Sequence, residues 1–124
     1  MDAVFADTNA LIRLLGGDTM VAELTDNKLV FISEMTEMEM LCKPNINKEQ
    51  RRIIRSLLDD CVIVPFSPEI KQKAIKIRLS TRLKLVDAIV GATAINMGFN
   101  LITNDLAFAS LDNLLNVILL PNLE

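Results

Sequence analysis

The chain contains no His, no Tyr and no Trp, and these gaps remove whole classes of chemistry. Without an imidazole there is no metal-free nuclease working through paired histidines, and no Ser-His-Asp or Cys-His nucleophile. Cys42 and Cys61 are the only cysteines and carry no CxxC spacing. With no His beside them they argue against structural zinc, and they read as reduced thiols of a cytoplasmic protein. Five Phe are the only aromatics, too few for a base-stacking platform of the RNA-recognition or OB type. No run approaches the roughly 20 apolar residues of a transmembrane helix, and Met1-Asp2-Ala3 lacks the positive start of a signal peptide, so no membrane association is expected. What remains for catalysis is oxygen chemistry: carboxylates, hydroxyls and hard metal ions.

What is present is apolar. The 124 residues suffice for one domain, spanning 1–124, and 51% of them are hydrophobic. Mean hydropathy is +0.35. A domain this small has much surface for its volume, so part of the apolar material is expected to face a second copy in a homodimer. The net charge of −3 argues against binding nucleic acid by sheer basicity. Its distribution is uneven, however. Lys71, Lys73, Lys76, Arg78, Arg82 and Lys84 form an acid-free basic segment, and no Lys or Arg follows residue 88. A solvated helix face is the default meaning of such a run. Its asymmetry also suits RNA-backbone contact, with Arg82 and Lys84 nearest the candidate site described below. Arg13 reads as a surface charge.

Short apolar runs alternate with helical patterns. Ala3–Ala6, Leu29–Ile32, Cys61–Val64, Asn100–Thr103 and Asn116–Leu120 read as strands. Helices are predicted to end at Gly16-Gly17, to start after the caps Asp18, Ser33, Asn47 and Ser67, and to run from Leu85 to Met97 before Gly98. Ile53, Ile54, Leu57 and Leu58 are assigned to the inner face of the fourth helix. The alternation predicts a three-layer α/β/α fold around a parallel sheet of about five strands. No repeat, linker or low-complexity stretch is visible.

In such a sheet, ligands bind beyond the carboxyl ends of the strands. Asp7 directly follows the first strand and Asp105 lies two residues after the fourth. Taken singly, each reads equally as a loop or cap residue satisfying backbone donors; two on one edge favour a site. Asp87 interrupts Leu85-Val86-Asp87-Ala88-Ile89-Val90 in the first turn of a greasy helix. The helix dipole favours an acid there, yet partial burial of a carboxylate demands compensation, which a metal ion supplies. The helix after Ser33 offers Glu34, Glu37 and Glu39. With Met35, Met38, Leu41 and Cys42 taken as its inner face, periodicity prefers Glu39 to Glu37 and leaves Glu34 open.

Together these blocks resemble the PIN-domain family. Asp7-Thr8-Asn9 after a strand is similar to the family's DTN opening. Ile32 to Leu41 resembles the second block, a Ser-capped helix with a Glu three residues after a Thr, which lands on Glu39. Leu85 to Ala94 resembles the third block, with its acid at Asp87, and Leu101 to Phe108 the fourth, with its acid at Asp105. Gly91 departs from the family's more common Ala. The blocks occur in the family's order across essentially the whole chain, and the compact length is similar to the VapC-like toxin subgroup.

The resemblance implies a metal-dependent endoribonuclease, the toxin of a type II toxin–antitoxin pair. Asp7, Glu39, Asp87 and Asp105 would be both the catalytic residues and the Mg²⁺ or Mn²⁺ ligands. Thr8, Asn9, Ser33 and Thr103 are candidate donors that orient those carboxylates, each readable also as a cap or turn residue. The implied partners are RNA, a cognate antitoxin that places a basic side chain in the acidic pocket, and a second copy of the chain. The alternative is a PIN fold kept as a catalytically silent protein-interaction module. A phosphorelay receiver fails because Cys61–Val64 ends in Pro65-Phe66 and Val117–Leu120 in Pro121, with neither the Asp nor the Lys that fold requires. A haloacid-dehalogenase-type phosphatase fails at position 9, where it needs a second Asp and finds Asn.

Overall fold

The computed structural model describes residues 2–122. Its elements run β1 (Ala3–Ala6), α1 (Thr8–Leu15), α2 (Thr19–Thr25), β2 (Leu29–Ser33), α3 (Glu34–Leu41), α4 (Lys48–Asp59), β3 (Val62–Val64), α5 (Pro68–Ser80), α6 (Leu85–Met97), β4 (Leu101–Thr103), a 3₁₀ helix (Leu106–Leu111) and β5 (Val117–Leu119). The five strands form one sheet in the order β3-β2-β1-β4-β5, every neighbouring pair parallel. The expected fold class is therefore the observed one. Helix starts follow from side-chain caps: Asp18, Ser33, Asn47 and Ser67 each accept a backbone N–H from the first turn of the following helix. Gly98 ends α6 at φ 76°, a left-handed conformation open to glycine at little cost. The 3₁₀ helix after β4 was not expected from the sequence.

Strand alternation divides the core between the two faces of the sheet. Val4 and Ala6 of β1, Val30 and Ile32 of β2 and Ile102 of β4 pack with Leu11, Val21, Met40, Ile54 and Leu58 from α1 to α4. Phe5 and Leu101 point the other way, against Ile70, Ala74 and Ile77 of α5, Ala88 and Ala92 of α6, and Phe108 and Leu111 around the 3₁₀ helix. Strands buried on both faces explain why they read as continuous apolar runs.

Three expectations about faces are corrected. On α4, Ile54 and Leu58 are buried but Ile53 is 43% exposed, because the sheet covers only a narrow stripe of this helix. On α3, the buried residues are Thr36 and Met40, while Met38 and Cys42 are exposed. A polar Thr36 takes the inner position because its hydroxyl finds a partner there. Arg13 is buried rather than superficial: its guanidinium bridges Asp18 at 2.8 Å and donates to the Pro121 carbonyl at 2.9 Å, joining α1 to the segment after β5. A buried charge needs this full set of partners.

Gly91 has a packing reason. A Cβ at this position would lie 2.7 Å from Leu111 Cδ1, so the missing side chain lets the 3₁₀ segment close onto α6. Glycine is otherwise a poor helix-interior residue. Gly91→Val is therefore expected to destabilise the fold by about 1–3 kcal/mol through overpacking. Thermal denaturation should show a lower Tm for Gly91→Val, and Leu111→Ala in the same background should recover part of the loss. Additive losses would place the clash elsewhere.

Candidate functional site

The strand order reverses between β1 and β4, and the crevice beyond their carboxyl ends is where an open parallel sheet accepts ligands. A cleft of about 110 Å³ lies at this end, lined by Asp7, Thr8, Asn9, Glu39, Asp87, Val90 and Asp105. Four carboxylates thus come together from four places in the sequence. Each arrives for a local reason that is visible in its hydrogen bonds.

Asp7 is the buried acid, with only 6% of its surface exposed. Its backbone still belongs to the sheet, donating to the Ile102 carbonyl at 3.2 Å, while its side chain caps α1 by accepting from Ala10 N–H at 2.8 Å. The other carboxylate oxygen accepts the Thr103 hydroxyl. Thr103 Oγ1 in turn accepts from the Asp105 N–H at 3.0 Å, and Asp105 caps the 3₁₀ helix through Ala107 N–H at 2.9 Å. Thr103 therefore locks Asp7 and Asp105 into one frame across the two central strands.

Glu39 is held from the opposite side. Thr8 Oγ1 donates to Glu39 Oε1 at 2.5 Å, and Thr36 Oγ1 lies 3.0 Å from Thr8 Oγ1. A hydroxyl has one proton, and an ionised carboxylate can only accept. Thr8 must then give its proton to Glu39 and accept one from Thr36, so the order of donation is fixed. Thr36 enters the sequence reading only as the Thr three residues before Glu39 in the second block, not as an orienting donor. Its signal was the i,i+3 spacing to Glu39, which places both on one side of α3. Glu34 has a different task, accepting the Phe66 N–H at 3.1 Å to hold α3 against the loop after β3.

The remaining candidates are distributed as follows. Asn9 lines the cleft and is exposed. Ser33 is buried and accepts the Met35 N–H at 3.0 Å as the α3 cap. Arg82 and Lys84 are exposed just before α6, and the Lys84 ammonium is near enough to Asp87 to favour its charged form. Not all of the basic segment lies here. Lys73 and Lys76 border a separate hollow with Ile77, Ile95 and Leu114, and Lys73 donates to Asn96 near the far end of α6.

Burial, more than any neighbour, pushes Asp7 up to about 6; the Thr103 and Ala10 hydrogen bonds oppose this, and the Asp87 and Asp105 charges add to it. Asp87 is also raised, first by burial and then by Asp105 and Glu39, with Lys84 opposing. Among the described residues, no three acidic or thiol side chains stand close enough to form a ready-made metal cage. The donor set is nonetheless all oxygen and strongly anionic. That chemistry fits Mg²⁺ or Mn²⁺, which keep several waters and need only one or two direct carboxylates.

A pH dependence follows. A carboxyl group whose folded pKa exceeds its unfolded value binds more protons in the folded state, so stability falls as pH rises. For Asp7 the window runs from its ordinary 3.8 to about 6, with an effect on the order of 3 kcal/mol. With divalent metal chelated, Tm should be higher near about pH 5 than near about pH 7.5. Asp7→Asn should flatten that slope. An unchanged slope in the variant would locate the titrating group elsewhere.

Residues 4–114 match the PIN domain family. No curated protein matches the chain. Among solved structures, a toxin–antitoxin complex from Klebsiella pneumoniae contains a chain 28% identical, with a TM-score of 0.80 over 94% of this chain and 96% of that one. VapBC2 from Rickettsia felis, bound to a DNA fragment from its promoter, is similar at 18% identity and TM-score 0.78, covering 94% of this chain and 97% of that one. DNA-bound VapBC from Salmonella typhimurium is similar at 15% identity and TM-score 0.79, covering 95% and 98%. The last two likenesses concern the fold. With residues 4–114 matched by the family's model, this chain belongs to the PIN domain family.

Proposed function

We propose that this chain is a Mg²⁺- or Mn²⁺-dependent endoribonuclease and the toxin of a type II toxin–antitoxin pair. One observation carries the proposal: Asp7, Glu39, Asp87 and Asp105 line a single cleft at the reversal point of a PIN-family sheet. PIN domains are generally nucleases, and similar chains occur in toxin–antitoxin complexes. No helix among the described residues is long and apolar enough to cross a membrane.

Asp7, Asp87, Glu39 and Asp105 would hold the metal, directly or through water. When bound, a divalent ion supplies positive charge against phosphate oxygens and lowers the pKa of water. The protein's own contribution is orientation. Thr103 and the α1 N-terminus fix Asp7, Thr103 fixes the backbone of Asp105, and the Thr36–Thr8 relay fixes Glu39. Water would add to phosphorus in line with the departing sugar oxygen, giving up its proton to a carboxylate of the cleft; the P–O bond to that sugar oxygen breaks, and the departing oxygen takes a proton from solvent. Lys84, near enough to Asp87 to favour its charge, and Arg82 two residues before it would take up the phosphate charge of the strand. The cellular setting proposed with this activity is the cytoplasm, with a cognate antitoxin whose basic side chain covers the acids. A homodimer would use part of the apolar surface left at Leu79, Leu85, Leu106 and Leu114.

Cleavage of single-stranded or loop RNA should therefore require Mg²⁺ or Mn²⁺ and stop with EDTA. Asp7→Asn, Asp87→Asn and Glu39→Gln should each lose activity by more than the roughly 10–100-fold typical of removing an orienting neighbour. Thr36→Val should fall within that range, and Thr36→Ser should restore it. Glu37→Gln should cut normally. Full activity in Asp7→Asn or Asp87→Asn would remove the site, and a metal-independent wild type would leave the interaction-module alternative standing. Saturating Mn²⁺ should also raise the wild-type Tm far more than that of Asp7→Asn.

A further inference from the structure

The five Phe residues are the chain's whole aromatic content, and the fold sorts them. Phe5 and Phe108 are buried, and Phe31 and Phe99 are half-buried against each other, with ring centroids 4.6 Å apart. Phe66 differs: it is 48% exposed, in the turn between β3 and α5. A lone exposed apolar residue is ordinary and calls for no explanation by itself. Its position and its neighbour set this one apart.

The position is the carboxyl edge of the sheet, where the four acids also stand. β3 lies two strands from β1, roughly 10 Å at the usual spacing. Helix α3 links the two places. Glu34, its first residue, accepts the Phe66 N–H at 3.1 Å. Glu39, about 7.5 Å further along the helix axis, lines the cleft. The turn is fixed on its other side as well. Ser67 caps α5 by accepting the Ile70 N–H at 3.2 Å, and its carbonyl accepts the Lys71 N–H at 2.9 Å. At roughly 3.4 Å per stacked nucleotide, about three nucleotides of a single strand span the gap from the acids to this anchored turn.

The neighbour is a cation. An apolar residue just before a helix cap commonly packs on another at the fourth helical position, closing the turn as a staple. Here the cap is Ser67, so the fourth helical position is Lys71, and it is exposed. Phe66 therefore lacks the usual apolar partner. Lys71 also opens the acid-free basic segment that continues through Arg78 and Arg82 to Lys84 near Asp87. Among the described residues, none of these four makes an ion pair. An exposed ring with a cation one turn away matches a base and its phosphate: bases of any identity stack on aromatic rings, and lysines hold the backbone. Five Phe make no stacking platform, but one base needs only one ring.

We infer that Phe66 stacks on one unpaired base of the bound RNA, about three nucleotides from the phosphate at the acids, with Lys71 on the adjoining phosphate. The assignment rests on the ribonuclease reading for its biological meaning, and the stacking itself is measurable without cleavage.

The chain has no Trp, so Phe66→Trp places a single indole emitter at the proposed seat. Combined with Asp7→Asn to prevent cutting, it should be quenched when a short single-stranded oligoadenylate is titrated in Mg²⁺. In the otherwise wild-type chain, Phe66→Leu should raise KM for a cleavable RNA at least about 5-fold, the lower end of what one base–ring stack gives. Its kcat and Tm should stay near wild type, and Phe66→Trp should restore KM. An abasic sugar scanned along the substrate should raise the wild-type KM at one position and leave the KM of Phe66→Leu unchanged there. Lys71→Gln should lower the slope of log KM against log salt by about 0.7, the value of one single-strand phosphate contact. No quenching, or a wild-type KM in Phe66→Leu, overturns the stack; an unchanged salt slope overturns the Lys71 contact. A Phe66→Leu chain that changes its association state in light scattering at wild-type KM assigns the ring to a protein interface and also overturns it. Quenching without cleavage by the wild type leaves the stack standing while the ribonuclease reading fails. Cleavage without quenching does the reverse.

Discussion

Asp7 is a carboxylate buried at the end of the central strand, and the site is built around what such a group requires. An ionised carboxyl taken out of water must be compensated or must take up a proton. Here the compensation is partial: one backbone N–H from α1 and one hydroxyl from β4, set against burial and two other acids. The balance pushes Asp7 up to about 6, above the ordinary carboxylate range. A cation bound at these oxygens would compete with protons for them.

The frame that holds Asp7 there is the parallel pairing of β1 with β4. It sets Ala6 against Ile102, which brings Thr103 beside Asp7 and carries Asp105 along through the Thr103 hydroxyl. The other two acids come from helices packed on opposite faces of the sheet, α3 with Glu39 and α6 with Asp87. Both can reach the same cleft because the crevice at the strand reversal opens to both layers. The repulsion among these groups is tolerated only because rigid elements with apolar cores, Phe5 and Leu101 on one side and Val4 and Ile102 on the other, hold the ends of the strands together.

Local hydroxyls do much of the finer positioning. Thr8, Thr36 and Thr103 have short side chains that lose little rotamer freedom when held. Each bridges two elements: α1 to α3 through Thr8 and Thr36, and β4 to the α1 cap through Thr103. A chain without His has no imidazole to orient its carboxylates, and these threonines provide orientation by hydrogen bonding alone.

Much of this is legible in the sequence. Strand and helix limits followed from alternation, from the caps Asp18, Ser33, Asn47 and Ser67, and from Gly98, because those signals are local and their physics acts within a turn. The strand-end positions of Asp7 and Asp105 were also visible, since topology alone assigns ligands to that edge. Side-chain partnerships across the sheet were not. Arg13 looked superficial because its partners are Asp18 and a carbonyl 108 positions away in sequence. Hydrophobicity alone put Met38 inside α3, whereas the fold buries Thr36 there, since only a contact with Thr8 on another helix satisfies that hydroxyl. The sequence by itself determined which elements form and which acids stand at their ends. Only the tertiary structure decided which acid is buried and which hydroxyl serves it, because these depend on distances between segments that no local interaction specifies.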